Sequence, residues 1–298
     1  MPFVQKPKPW GRCPQPPTGG DDPPLDPHNN FCKGNEKNKL SDWLLDPSPA
    51  SQHRWVTARP IAHRGLFDPT QSIPENSLAA FQRAVDQRYS IELDVRLLSD
   101  GQPAVFHDRD LWRMTGQQGS VHTLTTEKFR NLRLILDNQP PPLLEDVFRL
   151  VGDKVGVLVE IKDPTPQAAQ AVALAAKGHN GPWAALSFHA GVIAWFARHH
   201  PHITRGLNGG VFEWEYGFLP AVGMRSFFHA AKAKPHFLSC YLKRLGDPIP
   251  RWLRSRGLPV ITWTARTPQD WQTAKNRCDA VIFENFLNTP DSNKLIFE

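Results

Sequence analysis

The stretch Ile91-Glu92-Leu93-Asp94-Val95 alternates β-prone apolar residues with two carboxylates. In a β-strand, a period of two places Glu92 and Asp94 on the same face. Further along the chain, the run Val157-Leu158-Val159-Glu160-Ile161-Lys162 has the same two-residue offset between its charged residues. Buried strands rarely contain charged side chains without a purpose. The two runs therefore predict buried strands in which three carboxylates and one ammonium converge in an apolar frame.

This convergence of charge indicates a metal site. The first run alone would be an ordinary amphipathic strand whose polar face meets water, and the second run argues against that interpretation. Oxygen ligands suit Mg2+ or Ca2+, which usually keep some water, better than zinc, which prefers His and Cys. We therefore expect a hard divalent cation between Glu92, Asp94 and Glu160.

Three further strings supply the other groups that phosphate-ester cleavage needs. They are His63-Arg64-Gly65, Pro74-Glu75-Asn76-Ser77 and Phe106-His107-Asp108. Histidine transfers protons near neutral pH, and a planar guanidinium binds two phosphate oxygens at once. A lone histidine is more often a surface or core residue, and the proline string also has the pattern of a helix start. Together with a metal ion, however, the strings look like a phosphodiesterase active site.

In this order the strings resemble the glycerophosphodiester phosphodiesterase family, in particular its short bacterial cytoplasmic members. The family pattern runs HRG, PENT, E-x-D, HD and E-x-K, and five motifs agree in order. The resemblance covers about residues 59 to 288, and it extends through Leu143-Leu144-Glu145-Asp146-Val147, Ser187-Phe188 and Ile261-Thr262-Trp263-Thr264. The chain departs from the pattern at two places: Ser77 replaces a threonine, and Phe283-Glu284-Asn285-Phe286 replaces the usual Thr-Asp-x-Pro close.

The resemblance implies a role for each motif residue. His63 and His107 would be the general acid and base, and Arg64 and Lys162 would bind the phosphate. The metal, Mg2+ or Ca2+, would be held by Glu92, Asp94, Glu160 and Glu75, with Asn76 and Trp263 in support. The implied reaction is hydrolysis of glycerophosphodiesters to sn-glycerol 3-phosphate and an alcohol, through a cyclic phosphate intermediate.

The pattern of apolar runs predicts the architecture. The 298 residues, 40% apolar and 21% charged, suit one large core, and strands that alternate with helical stretches indicate an α/β fold. We expect a (β/α)8 TIM barrel. Its eight parallel strands are predicted near Ile61, 91–95, 157–161, 184–188, 203–207, 237–241, 260–264 and 280–283. The run Pro103 to His107 follows the turn signal Ser99-Asp100-Gly101, so it should form a small hairpin arm after the second strand and hang His107 over the barrel mouth.

Residues 1–58 are a different kind of sequence, with eleven prolines and little periodicity. We expect a proline-rich, weakly ordered N-terminal arm, followed by the barrel domain at residues 59–298. The chain has no apolar run of signal-peptide or membrane-span length, and its four cysteines form no metal-type spacing. These features favour a cytoplasmic protein without stable membrane insertion.

The net charge of +6 raises the question of a nucleic-acid partner. No binding motif accompanies the basic residues, and solvated helix faces account for them, so we expect small-molecule phosphodiesters and no nucleic acid. Two other functions remain open on the sequence: a phospholipase D-like enzyme acting on lysophospholipids or sphingolipids, and a non-catalytic barrel that binds phosphodiesters. The aromatic stretch Phe212 to Phe218 is either a lid over the substrate or ordinary helix packing.

Overall fold

The structure is a computed structural model that describes residues 50–209 and 233–284. The aromatic stretch Phe212 to Phe218, residues 1–49 and the Asn285-Phe286 end of the closing string lie outside the described residues. The statements that follow concern the described parts of the chain.

Eight parallel strands close into a barrel. They are β1 (Ile61–His63), β2 (Ser90–Leu97), β4 (Val157–Ile161), β5 (Trp183–Ser187), β6 (Thr204–Gly209), β7 (Phe237–Tyr241), β8 (Val260–Ala265) and β9 (Ala280–Phe283). Each pairs with the next in that order, and β1 closes the ring by pairing with both β2 and β9. The predicted (β/α)8 TIM barrel is therefore confirmed, with strands at all eight expected places.

The remaining strand, β3 (Pro103–Val105), is the predicted hairpin arm. It pairs antiparallel with the end of β2, with Val95 opposite Val105 and Leu97 opposite Pro103. The pairing of β1 with β2 reaches only as far as Glu92, so β3 continues on the same edge of β2. The segment after β3 contains the short helices α2 (Trp112–Thr115) and α3 (Thr126–Arg130), and it has a small apolar core of its own that includes Phe106, Leu111 and Phe129. This core fixes the loop that contains His107.

The other helices cover the outside of the barrel. They are α1 (Leu78–Asp86), α4 (Leu144–Val151), α5 (Pro166–Ala175), α6 (Ala190–His199), α7 (Pro248–Ser255) and α8 (Pro268–Lys275). Three of them start with proline, whose fixed φ and missing N–H suit the first helical turn. Helix α1 begins after Ser77, whose hydroxyl accepts a hydrogen bond from the Ala80 amide, so the proline string is also the predicted helix start.

Residues 50–57, which the sequence placed in the weakly ordered arm, form a 3-10 helix, Ala50–Thr57. Val56 is buried, and it packs with Trp55 on the barrel interior formed by Ile61, Leu158 and Phe237, among others. The ring of Trp55 lies so close to Gly156, just before β4, that a Cβ there would be 2.3 Å from it. His53 also bonds Thr204 at the start of β6. This helix therefore plugs the end of the barrel where the strands begin, and the packed part of the chain starts before residue 59.

Within the described residues, no helix combines the length and apolar character needed to cross a membrane. Cys240 and Cys278, the two cysteines in this part of the chain, are buried free thiols. Burial raises the pKa of both thiols to about 12, which keeps them protonated and unreactive.

Candidate active site

The register of β2 against β1 and β4 places three carboxylates side by side. Glu92 pairs with His63 on one neighbouring strand, and Asp94 pairs with Glu160 on the other. Because alternate residues of β2 face the helices, Glu92 and Asp94, both within β2, point to the barrel interior. Oxygen atoms of Glu92, Asp94 and Glu160 all lie within 4.8 Å of one another, and all three residues are buried.

Basic and amide groups surround this cluster. The Lys162 ammonium is 2.8 Å from Asp94 Oδ1 and also contacts Glu160 Oε1, while Asn208 on β6 donates to Glu160 Oε2 at 3.0 Å. Burial opposes the charged forms of Lys162 and Asp94. Their mutual attraction, aided for Asp94 by other nearby cations, outweighs burial, so the pKa of Lys162 is raised and that of Asp94 is lowered. Both groups are therefore charged at neutral pH.

Glu92 differs from Lys162 and Asp94, because its surroundings oppose its charged form. Burial raises the pKa of its carboxyl well above the ordinary value, and the charges of Asp94 and Glu160 raise it further. Its Oε2 accepts a hydrogen bond from the Arg64 amide at 3.1 Å, whereas its buried Oε1 has no hydrogen-bond partner among the described residues. A buried oxygen left without a partner beside two other carboxylates fits a divalent cation. The donor set is thus compatible with a metal held by Glu92, Asp94 and Glu160.

Glu75 does not join this cluster. Its Oε1 accepts hydrogen bonds from Arg64 Nη1 at 2.8 Å and from Arg113 Nη2 at 2.7 Å, and it is absent from the group of mutually close carboxylates. In the structure this carboxylate pairs with two guanidinium groups, and its role as a fourth metal ligand stays a prediction. The neighbouring Asn76 donates to Asp94 Oδ2 at 2.9 Å.

The Arg64 side chain contacts the carboxylate cluster. Its Nε is 3.1 Å from Asp94 Oδ2, and its backbone has a φ of +56°. Gly65, which follows, has a φ of +80°, and a Cβ there would be 2.9 Å from the backbone of Ala80 in α1. Only glycine fits at such a position. The HRG string is therefore a tight turn that packs against α1 and directs the guanidinium toward the carboxylates.

Each of the two motif histidines contacts a carboxylate through its Nδ1 atom. His63 Nδ1 is 2.5 Å from Glu284 Oε1, and His107 Nδ1 is 2.7 Å from Asp108 Oδ1. An arginine holds each carboxylate: Arg266 Nε is 2.6 Å from Glu284 Oε2, and Arg113 Nε is 2.6 Å from Asp108 Oδ2. These contacts leave the Nε2 atom of each ring away from its carboxylate, and His63 Nε2 is 3.7 Å from Glu92 Oε2.

Both histidines open onto one cavity of about 310 Å³. Its wall includes the motif residues His63, Arg64, Glu92, His107, Glu160 and Lys162, and also Arg96, Phe188, Asn208, Trp263 and Arg266. Phe188 and Trp263 meet edge to face with their ring centroids 5.6 Å apart. The tertiary structure thus collects most of the motif groups in one cavity whose wall combines charged and aromatic side chains.

The sequence interpretation missed four groups that complete this arrangement: Asn208, Arg113, Arg266 and the role of Glu284. Asn208 is a buried polar residue at the end of a predicted strand, which was an available signal. Glu284 was visible only as a departure from the family's closing string. Its contact with His63 spans 221 residues, and no local pattern reports such a separation.

Comparison with known proteins agrees with this geometry. A model of the glycerophosphoryl diester phosphodiesterase family matches residues 63–287. A glycerophosphodiester phosphodiesterase of Caldanaerobacter subterraneus subsp. tengcongensis is 27% identical over 238 residues, which cover 76% of this chain and 93% of that protein.

Solved structures show the same fold. A phosphodiesterase of Oleispira antarctica, determined with the product sn-glycerol-3-phosphate, has a TM-score of 0.64 at 21% identity and covers 76% of this chain and 92% of its own. A glycerophosphodiester phosphodiesterase of Thermotoga maritima has a TM-score of 0.60 at 25% identity, with 76% and 94% covered. Since the family match spans most of the chain and includes every motif around the cavity, the chain belongs to the glycerophosphoryl diester phosphodiesterase family and is a phosphodiesterase.

Proposed function

We propose that the chain hydrolyses glycerophosphodiesters to sn-glycerol 3-phosphate and an alcohol, using a divalent metal, Mg2+ or Ca2+, and two histidines. The observation that supports this most directly is the shared cavity of about 310 Å³. His63 and His107 line this cavity together with Glu92 and Glu160 of the buried carboxylate cluster and with the cations Arg64 and Lys162. Proton transfer, metal ligation and phosphate neutralisation are the three functions that this reaction needs.

The glycerol moiety itself supplies the nucleophile in the proposed mechanism. One histidine removes the proton from the glycerol 2-hydroxyl as it attacks phosphorus, and the other protonates the departing alcohol. The products of this step are the free alcohol and a cyclic phosphate, which water opens to glycerol 3-phosphate. A metal ion held by Glu92, Asp94 and Glu160 would stabilise the negative charge that grows on the phosphoryl oxygens.

Arg64 and Lys162 act on the same charge. Both are cationic at neutral pH, because nearby carboxylates raise their pKa values against the effect of burial. Arg64 is fixed by Glu75 and Asp94, so its guanidinium is oriented before substrate binds. Such preorganised groups stabilise a transition state without reorganising during the reaction.

The composition of the cavity favours water-soluble diesters over lysolipids. Its described wall is rich in charged side chains, whereas an acyl chain needs an apolar channel. The phospholipase D-like alternative therefore ranks second, and the non-catalytic barrel is separated from both by measuring product.

The decisive experiment measures release of glycerol 3-phosphate from glycerophosphocholine and glycerophosphoethanolamine, with Mg2+, with Ca2+ and with chelator. We expect metal-dependent release that His63→Ala and Glu92→Ala reduce by about 100-fold or more, the usual worth of acid–base and metal catalysis. His202→Ala and Glu127→Ala, at exposed positions, are the matched controls and should keep wild-type activity. If the folded protein releases product from lysophosphatidylcholine and not from the glycerophosphodiesters, the phospholipase D-like function replaces the proposed one. If it releases product from none of these substrates, it is a binding protein.

A further inference from the structure

Closure of the barrel brings Glu284 to His63. Strand β1 pairs with β9 so that Ile61 faces Ile282 and Ala62 faces Phe283. The next pair in this register is His63 and Glu284, at the end of the barrel where the carboxylate cluster lies. Their side chains meet with Nδ1 and Oε1 2.5 Å apart, and the side chains of both residues are only 12% exposed.

The neighbouring strand fixes Glu284 in turn. Its backbone amide donates to Ala265 at the end of β8, at 2.9 Å, so the following residue, Arg266, lies beside it. The Arg266 guanidinium binds both carboxylate oxygens, with Nε 2.6 Å from Oε2 and Nη2 3.3 Å from Oε1. Two-point binding of this kind holds the carboxylate in one plane and keeps it ionised.

An ionised carboxylate can only accept hydrogen bonds, so the proton of a neutral His63 ring must lie on Nδ1. The lone pair of Nε2 is then directed into the cavity, toward the groups that would surround a phosphodiester. Without this partner the imidazole could take either tautomer or rotate, and a fraction of the molecules would present the wrong nitrogen. His107 has a similar arrangement in a different part of the chain: its Nδ1 contacts Asp108, and Arg113 binds Asp108.

We propose that Glu284, held by Arg266, is the positioning residue that fixes the tautomer and orientation of His63. The inference rests on the proposed function, since it gives His63 a proton-transfer role. It assigns a purpose to Glu284, which belongs to the closing string, one of the two places where the sequence departs from the family pattern. Glu284 touches His63 and Arg266 and is not itself a wall residue of the cavity.

The test compares Glu284→Gln, Glu284→Asp and Arg266→Ala in the full chain with substrate and metal. Glutamine keeps the size but can offer Nδ1 an amide donor, whereas aspartate keeps the ionised acceptor. We expect Glu284→Gln to lower kcat by about 10- to 100-fold with KM changed less than about 3-fold, and Glu284→Asp to recover a measurable part of the loss. Arg266→Ala should lower kcat less than Glu284→Gln does. Glu145→Gln, an exposed carboxylate paired with Arg130, is the control and should match the wild type.

A spectroscopic readout separates this inference from the proposed function. Long-range 1H–15N NMR of the histidine rings reports which nitrogen is protonated, and loss of one signal set in His63→Gln assigns it among the twelve histidines. We expect Nδ1–H in the wild type and a mixed or reversed population in Glu284→Gln. The inference is overturned if Glu284→Gln keeps both kcat and the tautomer, or if aspartate recovers nothing while both variants remain folded. Because NMR needs no substrate, it decides the point even if the wild type releases no glycerol 3-phosphate.

Discussion

Glu92 has surroundings that oppose its own charge. It is buried between two other carboxylates, and one of its oxygens has no hydrogen-bond partner in the described part of the chain. Such a residue costs stability in the folded protein, and the cost is accepted at sites where a cation binds. Asp94, in contrast, is surrounded by Arg64, Asn76 and Lys162 and is well compensated. The two carboxylates of the E-x-D motif therefore differ in what their burial costs the folded protein, although they look equivalent in sequence.

Replacing Glu92 by glutamine should stabilise the metal-free protein. The amide cannot carry the negative charge that the surroundings of Glu92 oppose, and it can donate to Asp94 or Glu160. We expect Tm in chelator to rise by roughly 2–4 °C, the shift that about 1 kcal/mol produces in a domain of this size. We expect Mg2+ or Ca2+ to raise the Tm of the wild type, and this increase should largely disappear in Glu92→Gln.

Thermal unfolding with and without metal measures both effects. Glu145→Gln is the matched control, and its Tm should stay within about 1 °C of the wild type, as for most surface changes. If the Tm of Glu92→Gln in chelator is lower than that of the wild type, Glu92 stabilises the metal-free fold and does not destabilise it.

At the scale of elements, strand register forms the site, and the 3-10 helix Ala50–Thr57 completes the core at the other end of the barrel. Paired strands place His63, Glu92, Asp94 and Glu160 at one end of the barrel. At the opposite end, the 3-10 helix Ala50–Thr57 covers the interior with Trp55 and Val56. An eight-stranded barrel is filled by side chains, so the layer at its end is part of the core.

Removing this helix should weaken the barrel. We compare a chain that begins at Ala50 with one that begins at Ala58, so that only the helix differs between them. Burial of two large apolar side chains is worth roughly 3 kcal/mol or more, so the shorter chain should unfold about 6–12 °C lower. Arg54→Ala in the longer chain, which alters an exposed helix residue, should change Tm by no more than about 1 °C. Equal Tm values for the two chains would mean that the helix only rests on the barrel.

At the scale of the whole molecule, three carboxylates at the barrel mouth have pKa values below their ordinary ones. Burial opposes ionisation of Glu75, Asp108 and Glu284, yet hydrogen bonds from His63, His107 and Arg113 and the charges of nearby arginines outweigh it. The pKa of each is lowered, and that of Glu284 falls to about 2. A carboxyl whose folded pKa lies below its unfolded pKa stabilises the fold above the unfolded value, and this contribution is lost as the pH falls toward the folded value.

The free energy of unfolding should therefore fall between about pH 4.5 and pH 2. Glu92 contributes with the opposite sign, since its raised pKa means that protonation favours the folded state. A comparison of wild type with Glu284→Gln cancels that contribution and isolates Glu284. Urea unfolding at a series of pH values should show a shallower loss in the variant over this range. The same slope for both proteins would mean that the contacts of Glu284 with His63 and Arg266 do not hold its pKa down.

The sequence by itself determined the strands and the fold class, and it singled out the two histidines, the three clustered carboxylates, Arg64 and Lys162, which the fold brings together. Strand periodicity is a local property, so the offset between Glu92 and Asp94 was enough to place both on one face, and eight apolar runs with helical stretches between them were enough for the barrel. The turn signal before Pro103 was likewise local, and the antiparallel β3 followed from it. The helical character of residues 50–57 was missed because their packing on the barrel interior, and not their own pattern, defines them.

Only the tertiary structure decided which partners the charged groups have. The family resemblance implied that Glu75 joins the metal ligands, whereas the fold brings Arg113 from the segment after β3 and pairs it with Glu75. Likewise, the contact of Glu284 with His63 exists because β9 closes the barrel against β1, 221 residues later in the chain. Ion pairs depend on distances of a few ångströms, and in this protein barrel closure and strand register set those distances.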